Sequence, residues 1–176
     1  CVNLRRVKFY NPRKGIIAGE GGFIARSDSR GLSWTIESSG VTENLQSVSY
    51  STAKRAWAVG QNGRVMRTTN GGRTWSAQTS NTTRQLKSIH MQRGTNRGVA
   101  VGAEGRVIKT TDGGETWAEQ TVSGGSVQDL NDVHFVNSTT GWAVGNGGTI
   151  MRTTDGGATW SGSNPVSANL QAVAFV

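Results

Sequence analysis

Residues that could do chemistry are scarce in this sequence of 176 residues, which has 11 acids, two histidines and Cys1 as its only cysteine. A glycosidase that uses paired carboxylates needs two of them about 5–10 Å apart, and a zinc site needs several Cys and His ligands. No Gly-x-Ser-x-Gly elbow and no phosphate-binding Walker sequence is present. The sequence therefore predicts a protein that is not an enzyme and that has no cofactor and no metal site.

The tyrosines and histidines do not change this interpretation. A sialidase needs a Tyr nucleophile with a helping Glu, but Tyr10 and Tyr50 lie at the ends of predicted strands with no Glu marked as a partner. His90 and His134 take equivalent positions of a repeated unit, where other copies have Lys, Ser or Ala. Such variety indicates a tolerant, partly exposed strand position rather than a metal site.

Basic residues form a more regular set. One position of the third predicted strand is basic in each unit, at Arg26, Arg67, Lys109 and Arg152. Arg64 and Arg106 lie three residues earlier in two of the units. The same position on successive units traces an arc, and an arc of like charges would focus potential toward an acidic surface. The net charge of +8 and the pI near 10.6 also favour an acidic partner.

These cations could instead be structural, each pairing with a local acid or with the turn carbonyls of the next unit. For the position occupied by Arg26, Arg67, Lys109 and Arg152, this structural interpretation is preferred. A further basic group near the N-terminus, made of Arg5, Arg6, Arg13 and Lys14, is interpreted as solvated surface.

These residues must be positioned by a repeat that governs the whole chain. The block at residues 68–75 returns at 110–117 and 153–160, with a degraded copy at 27–34, and its tryptophans are 41, 42 and 43 residues apart. A strand of small residues ending in Gly precedes each block. Further upstream lies a Leu-x-x-apolar-x-apolar strand, which begins at Leu4, Leu45, Leu86, Leu130 and, for a fifth time, Leu170.

Each unit therefore reads as four short strands, for example 130–135, 141–145, 149–153 and 159–161. Short strands joined by Gly-rich turns give an antiparallel meander, and a period of 40–45 residues with four strands is typical of a β-propeller. We expect an all-β propeller of four-stranded antiparallel blades at about 4–40, 45–81, 86–124 and 130–165, with residues 170–176 as the first strand of a further blade. An incomplete array is preferred to a smaller ring or to pairing with a second copy.

The repeated block resembles the Asp-box, a turn found in sialidases, related propeller glycosidases and sortilin-like receptors. An Asp or Asn there accepts backbone N–H groups of its own turn, Gly supplies a positive φ, and Trp is expected to wedge between blades. The structural residues of the motif are Asn70, Gly72, Trp75, Asp112, Gly114, Trp117, Asp155, Gly157 and Trp160, together with Trp34 in the degraded copy. Ser29 replaces the acid in that copy, so the first turn is expected to be looser.

A narrower resemblance comes from the strand at 141–145 followed by Gly-Thr-Ile-Met-Arg-Thr-Thr-Asp-Gly-Gly-Ala-Thr-Trp at 148–160. This combination, which extends over nearly the whole chain, resembles the photosystem II stability/assembly factor family and its relatives in non-photosynthetic bacteria. The resemblance implies an exported, non-catalytic propeller of about seven blades. It also implies binding to a newly made reaction-centre subunit, in which a basic patch takes part.

We therefore expect an exported scaffold that binds an acidic protein surface, such as a membrane-protein assembly intermediate, and that associates with further blades or a second copy. The alternatives are a propeller that binds or cleaves glycans and a structural array on the cell surface. Nucleic acid is not expected, because the aromatic residues recur at packing positions instead of alternating with cations on an exposed face. Cys1 would suit a lipid anchor, although a chain cut from a longer protein is the preferred interpretation.

Overall fold

A computed structural model describes residues 2–124 and 128–175, which form four sheets, one for each repeat. We call these sheets blades 1 to 4 in chain order. Cys1, for which a lipid anchor was the less favoured interpretation, lies outside the described residues. Within them, no helix has the length and apolar character needed to span a membrane.

Each blade is an antiparallel meander of four strands. Blade 1 consists of β1 (Leu4–Phe9), β2 (Gly15–Gly19), β3 (Ile24–Ser27) and β4 (Thr35–Glu37). Blade 2 consists of β5 (Leu45–Tyr50), β6 (Ala56–Gly60), β7 (Val65–Thr68) and β8 (Ser76–Gln78). Blade 3 consists of β9 (Leu86–Met91), β10 (Gly98–Gly102), β11 (Val107–Thr110) and β12 (Ala118–Glu119). The short strand β13 (Thr121–Ser123) precedes blade 4, which consists of β14 (Leu130–Phe135), β15 (Gly141–Gly145), β16 (Ile150–Thr153) and β17 (Thr159–Ser163).

The connections divide between two ends of the blades. At one end, the loop after the first strand bonds to the turn after the third strand of the same blade, as in the 2.8 Å hydrogen bond from Gly71 N to Lys54 O. At the other end, a tight 3-10 turn after the second strand meets the linker into the next blade, as in the 2.8 Å bond from Gly21 N to Asn44 Oδ1. We call the first end the Asp-box face and the second the linker face.

Three hydrophobic clusters lie between successive blades and form the core. Neighbouring residues of one strand belong to different clusters, because successive side chains point to opposite faces of the sheet. Met66 packs between blades 1 and 2, whereas Val65 packs between blades 2 and 3. This arrangement explains why both residues are apolar, and it confirms the prediction of blades that stack face to face.

Three tryptophans of the repeated block are wedges between blades, as predicted, and Trp34 is not. Trp117 and Trp160 are fully buried in the second and third clusters, and the half-buried Trp75 packs against the first. Trp34 packs edge-on against Phe9 on the outer side of blade 1. The rings of Trp75, Trp117 and Trp160 therefore face the preceding blade.

Two features depart from the simple repeat. The strand β13, which the sequence pattern did not indicate, runs parallel to β17 and covers the outer edge of blade 4. Residues 170–175 lie against blade 4, where the N–H groups of Leu170 and Val173 donate to Gly145 O and Asp132 Oδ2, but they form no strand. A further blade at this end stays a prediction.

Candidate functional site

The Asp-box turns use their own acids. In blade 3, Asp112 Oδ1 accepts the backbone N–H of Thr116 at 3.0 Å, and the Thr116 hydroxyl donates to Oδ2. Thr110 Oγ1 accepts the N–H of Gly114 at 2.8 Å. The Thr116 hydroxyl and N–H lower the pKa of Asp112 to about 2. The carboxylate is therefore ionised and fully engaged within the turn.

The same turn recurs in the neighbouring blades. The N–H of Thr159 donates to Asp155 Oδ1, and the N–H of Thr74 donates to Asn70 Oδ1, each at 3.0 Å. Hydrogen bonds from Thr159 lower the pKa of Asp155 as well. Within the described residues, no group of three or more His, Cys, Asp and Glu side chains is placed to hold a metal ion.

The first turn keeps both backbone hydrogen bonds, but the side-chain bond between its first and third residues is longer, at 3.3 Å between Ser27 and Ser29 against 2.8 Å between Thr110 and Asp112. The expectation of a looser turn stays a prediction. Ser29 Oγ accepts the N–H of Ser33 at 2.9 Å, and Ser27 Oγ accepts the N–H of Gly31 at 2.9 Å. The Ser29 hydroxyl oxygen thus accepts the turn N–H that a carboxylate oxygen accepts in blade 3. A second difference lies at Arg30, which takes a φ of 64° where the other copies have Gly. A side chain in this left-handed region carries a small conformational cost.

The repeated cations of the third strand lie toward the Asp-box face, and several reach the next blade. Arg67 lies 3.6 Å from Glu115 in the turn of blade 3. A Cβ built on Gly156 would lie 3.9 Å from Lys109 Nζ, which places this ammonium beside the turn of blade 4. Arg26 is paired within its own blade with Asp28 and Glu37. Arg152 is exposed and lies over the ring of Trp142.

The two additional arginines do not join this group. Arg64 pairs with Glu43, and Arg106 pairs with Glu119, both at the linker face. Three residues of extended strand separate each from the repeated position, which is enough to carry a side chain from one end of a short strand to the other. The structure therefore divides the predicted arc between two faces.

Positive charge is concentrated on the Asp-box face. Its cations come mainly from the loops after the first strands and from the turns themselves, and they are Arg13, Lys14, Arg26, Arg30, Lys54, Arg55, Arg67, Arg73, Arg93, Arg97, Lys109 and Arg152. Its acids are Asp28, Asp112, Glu115 and Asp155. Asp112 and Asp155 are already engaged in their turns. Most of these cations make no ion pair among the described residues, so the excess charge faces solvent.

The linker face is balanced. Each of its cations has an acidic partner, in the pairs Arg5–Glu20, Arg64–Glu43, Arg84–Glu104, Lys87–Asp129 and Arg106–Glu119. The net charge of +8 therefore belongs almost entirely to the Asp-box face. Sequence reasoning missed this separation, because the loops that carry the cations lie about 40 residues apart and meet only in the fold.

The first strands line an open cavity of about 570 Å³ at the centre of the array. His90 Nδ1 accepts the backbone N–H of Phe135 at 3.4 Å, and Ser49 Oγ accepts that of Met91 at 2.9 Å. Ser49 and His90 are equivalent residues of two first strands, and each accepts a backbone N–H from the first strand of the next blade. Burial, with smaller contributions from His134 and Lys8, lowers the pKa of His90 to about 4, so the ring is neutral at neutral pH.

The tyrosines are packing residues. The rings of Tyr10 and Tyr50 lie 5.8 Å apart between blades 1 and 2. Burial raises the pKa of Tyr50, which opposes formation of a phenolate nucleophile.

Solved structures share this fold. The chain aligns with a structure described as YCF48 bound to D1 peptide, with a TM-score of 0.62, 14% identity and coverage of 99% of this chain and 86% of that one. YCF48 from Cyanidioschyzon merolae gives a TM-score of 0.59 and 16% identity over 99% and 90% of the chains. An ancestral GH74 enzyme gives a TM-score of 0.73 and 20% identity, over 90% of this chain and 23% of the enzyme. At these identities the likeness concerns the fold alone.

The sequence itself carries the family assignment. None of the curated proteins matches it. The family model described as photosynthesis system II assembly factor YCF48 matches residues 27–124, more than half of the chain. These residues hold the complete Asp-box turns of blades 2 and 3 and the wedge tryptophans beside them. The chain therefore belongs to the photosystem II assembly factor YCF48 family of β-propeller proteins.

Proposed function

We propose that this chain is a non-catalytic scaffold that binds an acidic segment of a protein partner on its Asp-box face. The separation of charge carries the proposal: one face holds almost all of the net charge of +8, whereas the opposite face is paired ion by ion. Such a surface attracts an acidic partner and orients it before contact.

The partner we propose is a membrane-protein assembly intermediate. A YCF48 structure with the same fold holds a D1 peptide, and the family model is that of a photosystem assembly factor. Export of the chain from the cytoplasm belongs to the same proposal and rests on the family. A role in photosynthesis is not required for it, because the recognition depends on charge.

The state of the acids supports a non-catalytic role. All 11 accept hydrogen bonds or ion pairs within the protein. The most buried of them, Asp132, accepts bonds from Ser88, Arg6 and the backbone of Val173. A general acid or base needs a carboxyl group poised toward a substrate, and these groups are occupied by structural contacts.

The contact residues we propose are cations of the Asp-box face without an ion pair in the described part of the chain. Lys54 and Arg97 extend from the loops of blades 2 and 3 and are exposed. Lys109 and Arg152 continue the set along blades 3 and 4. Arg67 belongs to the same surface, although Glu115 partly neutralises it.

Two double variants with the same change in charge test the surface. One is Lys54→Glu with Arg97→Glu on the Asp-box face, and the other is Arg5→Glu with Arg84→Glu on the linker face. The probe is a fluorescent D1 peptide, whose binding is measured by anisotropy at low and moderate salt. We expect the first variant to weaken binding roughly tenfold or more and the second by less than about threefold.

Salt should weaken binding by the parent chain more than binding by the Asp-box variant, because fewer charges are screened in the variant. Equal losses in the two variants would show that the Asp-box face is not the binding surface. A parent chain that does not bind the peptide at any salt concentration would contradict the proposed partner class.

A further inference from the structure

A pair of cations recurs where blades 1, 2 and 3 each meet the next blade. One member directly precedes the second strand, and the other lies on the third strand, twelve residues later along the chain. The pairs are Lys14 with Arg26, Arg55 with Arg67, and Arg97 with Lys109. Lys109 lies directly opposite Val99, which packs in the cluster between blades 3 and 4. Because opposite residues, and residues two apart on a strand, share a face of the sheet, Arg97 and Lys109 both point toward blade 4.

The pair of blade 1 is neutralised by acids of its own blade. Asp28, directly after the third strand, forms an ion pair with Arg26 and lies 3.9 Å from the Lys14 ammonium. Glu37 adds a second contact to Arg26 at 2.7 Å. Both cations of this pair therefore have an acidic partner within the protein.

The pair of blade 2 is held by groups of the next blade. Arg55 donates a hydrogen bond to Asn96 Oδ1. Arg67 lies 3.6 Å from Glu115, in the Asp-box turn of blade 3. A Cβ built on Gly113 of this turn would lie 3.8 Å from Arg67 Nη2 and 3.5 Å from Asn96 Oδ1. The two guanidinium groups therefore converge beside one turn of the neighbouring blade.

The pair of blade 3 takes the same place but has no such partners. A Cβ built on Gly156, the equivalent of Gly113, would lie 3.9 Å from Lys109 Nζ, so Lys109 reaches the turn of blade 4 as Arg67 reaches that of blade 3. The positions that neutralise or hold the other two pairs have Thr111 in place of Asp28, Thr139 in place of Asn96, and Ala158 in place of Glu115. In the part of the chain that the structure describes, the side chains of Arg97 and Lys109 make no ion pair or hydrogen bond.

We propose that Arg97 and Lys109 form a binding site for one carboxylate side chain of the acidic partner. This carboxylate would lie beside Lys109 as Glu115 lies beside Arg67. The inference rests on the proposed function, because it locates one contact of that partner on the Asp-box face. The turn of blade 4 does not supply the carboxylate itself, since its Asp155 is engaged by the N–H and hydroxyl of Thr159.

The chemistry of the two cations suits a carboxylate. A guanidinium and an ammonium provide several N–H donors and no acceptor, and a carboxylate provides acceptors only. Lys109 is half-buried and Arg97 is exposed, so the site is open at the Asp-box face while its inner cation is partly shielded from water. Such shielding strengthens a charge-assisted hydrogen bond. Carboxylates are also what the protein itself places beside Arg26 and Arg67.

Two substitutions would fill this site with an acid of the chain itself. Ala158→Glu copies the position of Glu115, and Thr111→Asp copies the position of Asp28. Binding of the fluorescent D1 peptide is then measured by anisotropy at low salt. We expect each substitution to weaken binding roughly tenfold, because the new acid occupies the place of the partner's carboxylate. The two substitutions lie in different blades, so one folded variant is enough for the test.

Matched controls separate the site from charge and size in general. Thr69→Asp makes the same replacement as Thr111→Asp at the equivalent position of blade 2, where Glu115 already lies beside Arg67. Ala158→Gln has nearly the volume of Ala158→Glu without its charge. We expect both controls to change the affinity by less than about threefold. The unfolding curve of each variant, followed by circular dichroism, shows whether it is folded.

A double-mutant cycle identifies the carboxylate of the partner. Each acidic residue of the peptide is replaced in turn by its amide, and binding is measured to the parent chain and to Ala158→Glu. One replacement should weaken binding to the parent roughly fivefold and leave binding to Ala158→Glu unchanged, because the contact is already lost there. If every replacement weakens binding to both proteins equally, no carboxylate of the peptide is bound at this site and the inference is wrong.

The inference and the proposed function fail in different ways. A parent chain that does not bind the peptide, or whose affinity survives the charge reversal of Lys54 and Arg97, contradicts the proposed function. The carboxylate site alone is overturned if the parent binds but Thr111→Asp binds as tightly as Thr69→Asp, and Ala158→Glu as tightly as Ala158→Gln. In that case the Asp-box face still binds the partner, through other cations.

Discussion

The indole N–H of Trp57 in blade 2 donates a hydrogen bond to the carbonyl oxygen of Gly113 in blade 3, across a distance of 3.1 Å. Gly113 lies in the Asp-box turn, and Trp57 is completely buried. A buried carbonyl without a donor carries a desolvation cost, so this bond couples the turn of one blade to a strand of the preceding one. The Asp-box turns therefore belong to the interfaces between blades as well as to their own hairpins.

Replacement of Trp57 by Phe should destabilise the protein more than replacement of Trp117 by Phe. Both indoles are buried in the same cluster, but the indole nitrogen of Trp117 has no partner in the described residues. Trp57→Phe leaves the carbonyl of Gly113 unpaired, which should cost about 1–2 kcal/mol more. Urea unfolding followed by circular dichroism measures the difference.

Trp117→Ala is the reference for lost volume and should cost roughly 3–5 kcal/mol. Equal losses for the two Phe variants would show that the bond from Trp57 to Gly113 makes no net contribution.

Gly114→Ala should be far more damaging than Gly94→Ala. Both glycines have positive φ, at 88° and 73°. A Cβ on Gly114 would lie 2.7 Å from the indole nitrogen of Trp57, whereas a Cβ on Gly94 would meet no atom within 4 Å. We expect about 1 kcal/mol for Gly94→Ala from the backbone alone, and about 2 kcal/mol more for Gly114→Ala from the clash. The measurement is the midpoint of thermal unfolding. Equal decreases in the midpoints of the two variants would contradict the expected clash at Gly114.

Stability should decline on acidification between pH 6.5 and about 4. Burial lowers the pKa of His90 to about 4, and the unfolded ring has a pKa near 6.5. The unfolded chain therefore binds more protons in this range, so the contribution of His90 is complete above pH 6.5 and is lost as the pH falls to about 4. His134 and Lys8 oppose a charge on His90, and Asp132 favours one. The expected loss is on the order of 2–3 kcal/mol.

His90→Asn is the control for this pH dependence, because an amide oxygen can accept the N–H of Phe135 without titrating. The variant should keep most of its stability at pH 7, and its free energy of unfolding should fall less between pH 7 and pH 4.5. A smaller fall from His134 should remain, because burial also lowers the pKa of His134. The measurement is the free energy of unfolding of both proteins at four or five pH values. An unchanged slope in the variant would assign the loss to other groups.

Asp112→Asn should be nearly neutral, whereas Asp112→Ala should cost about 1–2 kcal/mol. Blade 2 already has Asn70 at this position, with the same 3.0 Å bond from the turn N–H. Ala would leave the N–H and hydroxyl of Thr116 without their acceptor. Chemical unfolding of both variants at pH 7 makes the comparison. A large loss in Asp112→Asn would show that the charge itself holds the turn.

Much of this protein was determined by its sequence alone. The spacing of the tryptophans and the Leu-initiated strands predicted four-stranded blades, because a sheet with two apolar faces is stable only between two neighbours. The same reasoning placed Trp117 and Trp160 between blades. The hydrogen bonds of the Asp-box turn are local, so they too followed from residue types at fixed spacing.

Only the tertiary structure decided where the charge lies. Lys54 and Arg97 belong to different repeats and meet on one face because the loops after all first strands converge there. Arg64 and Arg106 were predicted to join Arg67 and Lys109, yet they lie at the opposite end beside Glu43 and Glu119, which come from other strands and linkers. The role of His90 was also hidden, because its partner Phe135 lies in the next blade. Contacts between blades depend on the packing of the folded array, and no pattern within one repeat specifies them.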